Sequence, residues 1–133
     1  MEGTIVVPQR KDWDCGVASI AMLLNVPYAD VSTVVFRTLT DHKKLKRQGI
    51  ILYELEEIIG KFGFKTKRLY KKEGYLENAT GILGLNGGDC APHGHWVVIR
   101  DGMIIDPSGG EVWSPEDYMK AARCRPATMV VLT

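Results

Sequence analysis

The apolar residues of this chain change their period partway along, and that change restricts the fold more than any other feature. As far as Phe62 they recur at helical spacing, whereas from Phe64 onward they alternate or gather in short β-type runs. Helices therefore come first and an antiparallel sheet after, which is the α+β class with the helical part packed on the sheet. The stretch VASIAMLLN places Val17, Ile20, Ala21 and Leu24 on a 3.6-residue period. Met22 and Leu23 widen that stripe, so this helix is expected to be buried on most sides. Asp12 or Asp14 is suited to cap it, and Asn25 followed by Pro27 stops it. A second helix is expected from Ala29 to Leu39, capped by Asp30, with Val31, Val34, Val35 and Thr38 on one face. A third runs from Leu52 to Phe62, with Gly63 where a C-terminal glycine belongs.

Residues 3–7 (GTIVV) read as a short strand ended by Pro8. Phe64 to Tyr70 alternates as an exposed or edge strand does. Thr80–Leu85, His95–Arg100, Met103–Ile105 and Ala127–Leu132 are further short strands. Asp101-Gly102, between VVIR and MIID, signals a tight hairpin. Ser114-Pro115-Glu116-Asp117 signals a helix start, with Ser114 as the cap and Pro115 in the first turn.

No repeat, linker or low-complexity tract divides the 133 residues, so one domain over 1–133 is expected. With 45% hydrophobic and 25% charged residues, the chain has the balance of a soluble globular protein. A net charge of +1 argues against nucleic acid or an anionic membrane as partner. The basic runs Lys43–Arg47 and Lys65–Lys72 read as solvated faces. No apolar run approaches the roughly 18 residues of a membrane span, and MEGTIVVPQRKDWD lacks the pattern of a signal peptide. The three cysteines are far apart in sequence, which argues against a disulfide framework and for a reducing, cytoplasmic setting.

The chemistry gathers around Cys15. A thiol attacks as its thiolate, and the N-terminus of a helix favours negative charge. Cys15 opens the first helix, and Gly16 beside it leaves room for a substrate backbone. Taken alone, this cysteine reads as a small buried hydrophobe, but three neighbours change that. Gln9 carries a side-chain amide able to donate to a developing oxyanion, alongside the N–H of Cys15. His95, between Gly94 and Trp96, starts an apolar strand at a partly shielded edge. Asp106 ends the next strand of the Asp101-Gly102 hairpin. Facing residues of that hairpin have numbers summing to about 203, so Asp106 falls near His95, within reach of an Asp–His bond that would fix the imidazole.

Three segments carry a resemblance: QRKDWDCGVASIAMLLN, GIILYELEEIIGKFGFKTK and GHWVVIRDGMIIDP. Together they are similar to the bacteriocin-processing, double-glycine-leader branch of papain-like cysteine peptidases, over roughly positions 5–107. The resemblance implies a papain-like fold, with a catalytic helix packed on a C-terminal antiparallel sheet. It implies Cys15 as nucleophile, His95 as general base and acid, Asp106 as the residue that orients it, and Gln9 as oxyanion donor. Trp13, Gly16, Gly94 and Trp96 flank these and are the expected substrate-binding residues, with a peptide or protein as substrate. The family's best-known members are N-terminal domains of membrane transporters. No transporter segment follows here, so a stand-alone domain is expected, and Gly87-Gly88 and Gly109-Gly110 read as loop glycines.

Rival readings are a silent peptide-binding module on the same fold, or acyl or amino-group transfer through the same thiol. The run Asp89-Cys90-Ala91-Pro92-His93-Gly94-His95 is rich in metal-ligand types. However, its histidines are two apart and no second cysteine pair exists, so neither zinc nor an organic cofactor is expected. The loop 86–94 reads instead as a flexible, glycine-rich flap beside the site.

Overall fold

The helix that begins at Cys15 organises the fold. It runs Cys15–Leu24 (α1), and all ten of its residues are buried. The protein is represented by a computed structural model that describes residues 6–70, 80–90 and 92–133. Three further helices follow: Tyr28–Thr38 (α2), His42–Gln48 (α3) and Leu52–Lys61 (α4). Then come strands Thr66–Tyr70 (β1) and Gly81–Asn86 (β2), a 3-10 turn at Gly88–Cys90, and strands His95–Arg100 (β3), Met103–Asp106 (β4) and Glu111–Trp113 (β5). Helix Pro115–Ala122 (α5) and strand Arg125–Leu132 (β6) follow. The strands form one antiparallel sheet in the order β1-β6-β2-β3-β4-β5.

Period-2 alternation splits the sheet's side chains between two cores. Ile82 and Val130 face the helices, where Val17, Ile20, Leu55, Ile58 and Ile59 meet them at 0–1% exposure. Each fully buried side chain of this size contributes roughly 1.5–3 kcal/mol of hydrophobic stabilisation. Met22 on α1 packs against Val98 and Ile105 of the same sheet face. Leu83, Leu85, Val97, Ile99, Ile104 and Met129 face the other way, covered by Tyr118 of α5, Cys90 and Cys124. Covering both faces explains why β2 is buried at five consecutive positions.

Several expectations need correction. Asp14 occupies the N-cap position of α1 but makes no side-chain cap bond. Its wholly buried carboxylate instead accepts from the Arg10 and Lys11 N–H groups at 3.0 and 2.9 Å, and from the Tyr28 hydroxyl at 2.5 Å. Helix α2 begins at Tyr28 behind Pro27, so Asp30 lies inside its first turn rather than capping it. The strand expected at 3–7 is absent at Val6 and Val7, and its residues 3–5 lie outside the described residues. Lys71 and Lys72 of the second basic run also lie outside them.

Two elements went unpredicted. Helix α3 buries only Leu45, and Asp41 caps it by accepting from Lys44 N at 3.0 Å. Strand β5 is three residues long. The hairpin register behaves as expected: Val98↔Ile105, Ile99↔Ile104 and Arg100↔Met103 all sum to 203. Asp101 and Gly102 both have positive φ, as its two-residue turn requires. The edge position of β1 and the Ser114-Pro115 helix start are likewise found. No helix among the described residues is long and apolar enough to cross a membrane.

Candidate active site

α1 packs against β3, which brings Cys15 beside His95 and Trp96. The Trp96 N–H donates to Cys15 Sγ at 3.5 Å, a backbone donor aimed at the sulfur that sequence reading had not identified. Trp96 is itself held by its indole N–H, which donates to Ile50 O at 2.6 Å, and Ser19 Oγ donates to Trp96 O at 3.3 Å. Gly16 departs from expectation. It does not line the cleft, because a Cβ there would press on Ile50 and the Trp96 ring at 3.2–3.3 Å. Its smallness lets α1 approach these side chains.

His95 Nε2 lies 2.8 Å from Asp106 Oδ1, with both side chains about 15% exposed. Asp106 pairs across the sheet with Glu111, so it meets His95 beyond the paired part of the β3–β4 hairpin. Burial alone would lower the His95 pKa, but the Asp106 hydrogen bond and the neighbouring Cys15 outweigh this and hold it at about 9. For Asp106 burial acts upward, and the His95 hydrogen bond and charge overcome it, leaving the carboxyl at about 2. With Nε2 on the carboxylate, Nδ1 is the nitrogen left for Cys15.

Asp106 has further partners that sequence reasoning missed. Ser108 N and Ser108 Oγ both donate to Oδ1 at 2.9 Å, and the Tyr118 hydroxyl donates to Oδ2 at 2.8 Å. Ser108 stands two residues downstream in a turn, a spacing known for Asp side chains. Tyr118 lies on a helix twelve residues away, and nothing in the local sequence marks it.

Gln9 lines the same cleft as Cys15. Its backbone N–H donates to Pro107 O at 2.7 Å, which ties it to the end of β4. Its side-chain Nε2 donates to Lys11 O at 2.7 Å, while its buried Oε1 has no partner among the described residues. One of the two amide protons is thus committed and the other is not.

Two cavities meet at the thiol. The larger, about 620 Å³, takes in Gln9, Trp13, Asp106 and Tyr118. The smaller, about 240 Å³, is walled by Ile50, Leu52, Leu85 and Trp96. Cys15, Gln48, His93, Gly94 and His95 belong to both. The expected substrate-binding residues Trp13, Gly94 and Trp96 therefore line one or both cavities. Lys46 and Arg47 of α3 reach the larger one, opposite Asp12, Asp89 and Glu111, so its charge is mixed.

The loop expected to be a flap carries the Gly88–Cys90 turn, which is pressed onto the end of α5. Gly88 has φ +51°, and a Cβ there would collide with Arg123 O. All three cysteines are free. Burial and the neighbouring Cys124 push the Cys90 thiol up to about 12. Among the described residues no three His, Cys, Asp or Glu side chains converge to hold a metal ion.

Comparison with known proteins places this arrangement. The solved structure of a double glycine motif protease from an AMS/PCAT transporter, in complex with its leader peptide, superposes with a TM-score of 0.64 at 18% identity. That match covers 97% of this chain and 90% of the other. The peptidase domain of Streptococcus mutans ComA, solved with a small-molecule inhibitor, gives a TM-score of 0.58 at 18% identity, covering 97% and 98%. The fold is thus papain-like, as the resemblance implied. A search of curated proteins returned no match. The sequence profile of the Peptidase C39 family matches residues 4–121, a span that takes in Cys15, His95 and Asp106, and the chain belongs to that family of cysteine peptidases.

Proposed function

We propose that this peptidase cleaves peptide bonds through a Cys15–His95–Asp106 triad, by way of a thioester acyl-enzyme. The observation that carries the reading is the His95 imidazole, hydrogen-bonded to Asp106 at 2.8 Å and lining the same cleft as the Cys15 thiol. A His95 pKa near 9 keeps the imidazole cationic at neutral pH, the state that pairs with a thiolate. Cys15 Sγ attacks the scissile carbonyl, whose oxygen takes up negative charge. The free amide proton of Gln9 and the Cys15 N–H supply donors to that oxygen. As the C–N bond breaks, His95 gives its proton to the departing amine and leaves a thioester. Water then loses a proton to His95 and attacks the thioester, which releases the carboxylic acid and restores the thiol. Asp106 holds the ring and its positive charge throughout without being protonated itself.

A peptide or protein segment is the substrate class, because cavities on both sides of Cys15 accommodate an extended chain. The related transporter protease solved with a leader peptide supports the same class. Three free cysteines fit a reducing, cytoplasmic setting. The test needs no substrate. Iodoacetamide is expected to alkylate Cys15 at least about tenfold faster than Cys90 or Cys124, and His95→Ala to abolish the difference. Equal labelling of all three thiols would overturn the proposal.

A further inference from the structure

We propose that Tyr118 is a positioning residue, whose hydroxyl fixes the Asp106 carboxylate and, through it, the orientation of His95. The inference rests on the triad reading and extends it to a residue from outside the sheet.

Helix α5 has one buried residue in eight, and that residue is Tyr118, at 5% exposure. Met119 and Ala122 pack beside it while only partly buried, so Tyr118 is the residue this helix carries deepest. The phenol's oxygen ends 2.8 Å from Asp106 Oδ2. The carboxylate's donors are divided unequally. Oδ1 accepts from His95 Nε2, Ser108 N and Ser108 Oγ, while Oδ2 has only Tyr118 among the described residues. Rotation of a carboxylate about its last torsion is soft. With Oδ2 untethered, the group can swing and give either oxygen to Ser108, loosening its hold on the imidazole.

The phenol is suited to the task. Burial and the bond to Asp106 raise its pKa well above the usual tyrosine range, so it remains a donor throughout the working range. Its ring is set edge-on to Trp113, at 5.9 Å and 81°, and Ser114 caps the helix that carries it. The titratable groups facing the His95–Asp106 pair are Cys15 from α1, Tyr118 from α5 and Cys90 from the 3-10 turn. Asp12, Lys46, Arg47, Asp89, His93 and Glu111 line the same cleft.

The test is an imidazole NMR titration of wild type and Tyr118→Phe, with the His95 signal assigned by its loss in His95→Ala. The ring contact with Trp113 survives this substitution, and thermal unfolding verifies the fold. In wild type the His95 midpoint is expected near 9. In Tyr118→Phe it should fall by about one pH unit, the change for one hydrogen bond to a charged group, and Cys15 alkylation should slow most between about pH 8 and 9. An unchanged His95 midpoint and an unchanged alkylation rate would mean that Tyr118 only packs, which overturns the proposal alone. A wild-type midpoint near 6.5 would overturn the His95–Asp106 pairing and, with it, both readings. A second measurement uses the wild type only: the Tyr118 ring Cζ signal should inflect with His95 near pH 9, and a flat trace would also overturn the proposal.

Discussion

Replacing Asp106 with Asn removes a charge but leaves an acceptor for His95 Nε2, and its consequence for stability has a defined sign at each pH. Burial opposes both charged forms, and the interaction between the residues reverses that, with His95 near 9 and Asp106 near 2. These shifts are two faces of one interaction and count once. His95 moves further because Cys15 adds to its rise, so the pair is sized from the aspartate, which moves from 3.8 to about 2. That corresponds to about 2 kcal/mol, or about 1–2 kcal/mol once solvent screening at the partly exposed edge is allowed for. The raised histidine contributes stability that is complete below 6.5 and lost as pH rises through about 9. The lowered aspartate contributes stability that is complete above 3.8 and lost as pH falls through about 2. Urea unfolding across pH should therefore show wild type exceeding Asp106→Asn most between about 4 and 6.5, with the margin shrinking as pH rises from there and largely gone above about 9. Loss of the charge-assisted bonds from Ser108 and Tyr118 adds a constant offset, so the pH-dependent part carries the test. A margin that is flat with pH, or widest in alkali, would refute the reasoning.

Two further outcomes follow. Cys15→Ala should change the unfolding free energy by less than about 1 kcal/mol, because a small residue at a helix start is easily replaced. A loss above about 3 kcal/mol, the scale of a core cavity, would mark Cys15 as structural. Gly88→Ala should lower the thermal midpoint by several degrees and cost about 2 kcal/mol or more, since it combines positive φ with a collision at Arg123 O. An unchanged midpoint would show that the 3-10 turn is not pinned to α5.

The sequence was most legible where one physical rule acts alone. The apolar stripe through Val17, Ile20, Ala21 and Leu24 announces α1, and Asp101-Gly102 sets the hairpin register that carries Asp106 toward His95. Helix α3 escaped notice because Leu45 is its sole buried residue, and one apolar position has no period. Strand β5 is too short to alternate visibly. Asp14 was misread because capping is inferred from local spacing, while its carboxylate is claimed by a tyrosine fourteen residues on, at the start of α2. Tyr118 and the Trp96 N–H were invisible for the same reason: each matters through a partner chosen by tertiary packing, whereas Ser108 had a local signal in its spacing from Asp106. At Gly16 a small residue beside Cys15 invited a substrate-based explanation, and the structure supplies a packing one, the close approach of Ile50 and Trp96.

The sheet order has a consequence for when the enzyme becomes active. The strand latest in sequence, β6, sits between β1 and β2 and is the partner of both. Until Arg125–Leu132 has paired, β1 has nothing to join, and β2 lacks the neighbour on its other edge. Cys15 meets Trp96 across 81 residues, a contact whose loop must close before the thiol gains its donor. A ribosome that has released only the first hundred or so residues has thus made Cys15 and His95 but not the whole sheet that holds them together. The order of synthesis itself delays a reactive thiol until the chain around it is built.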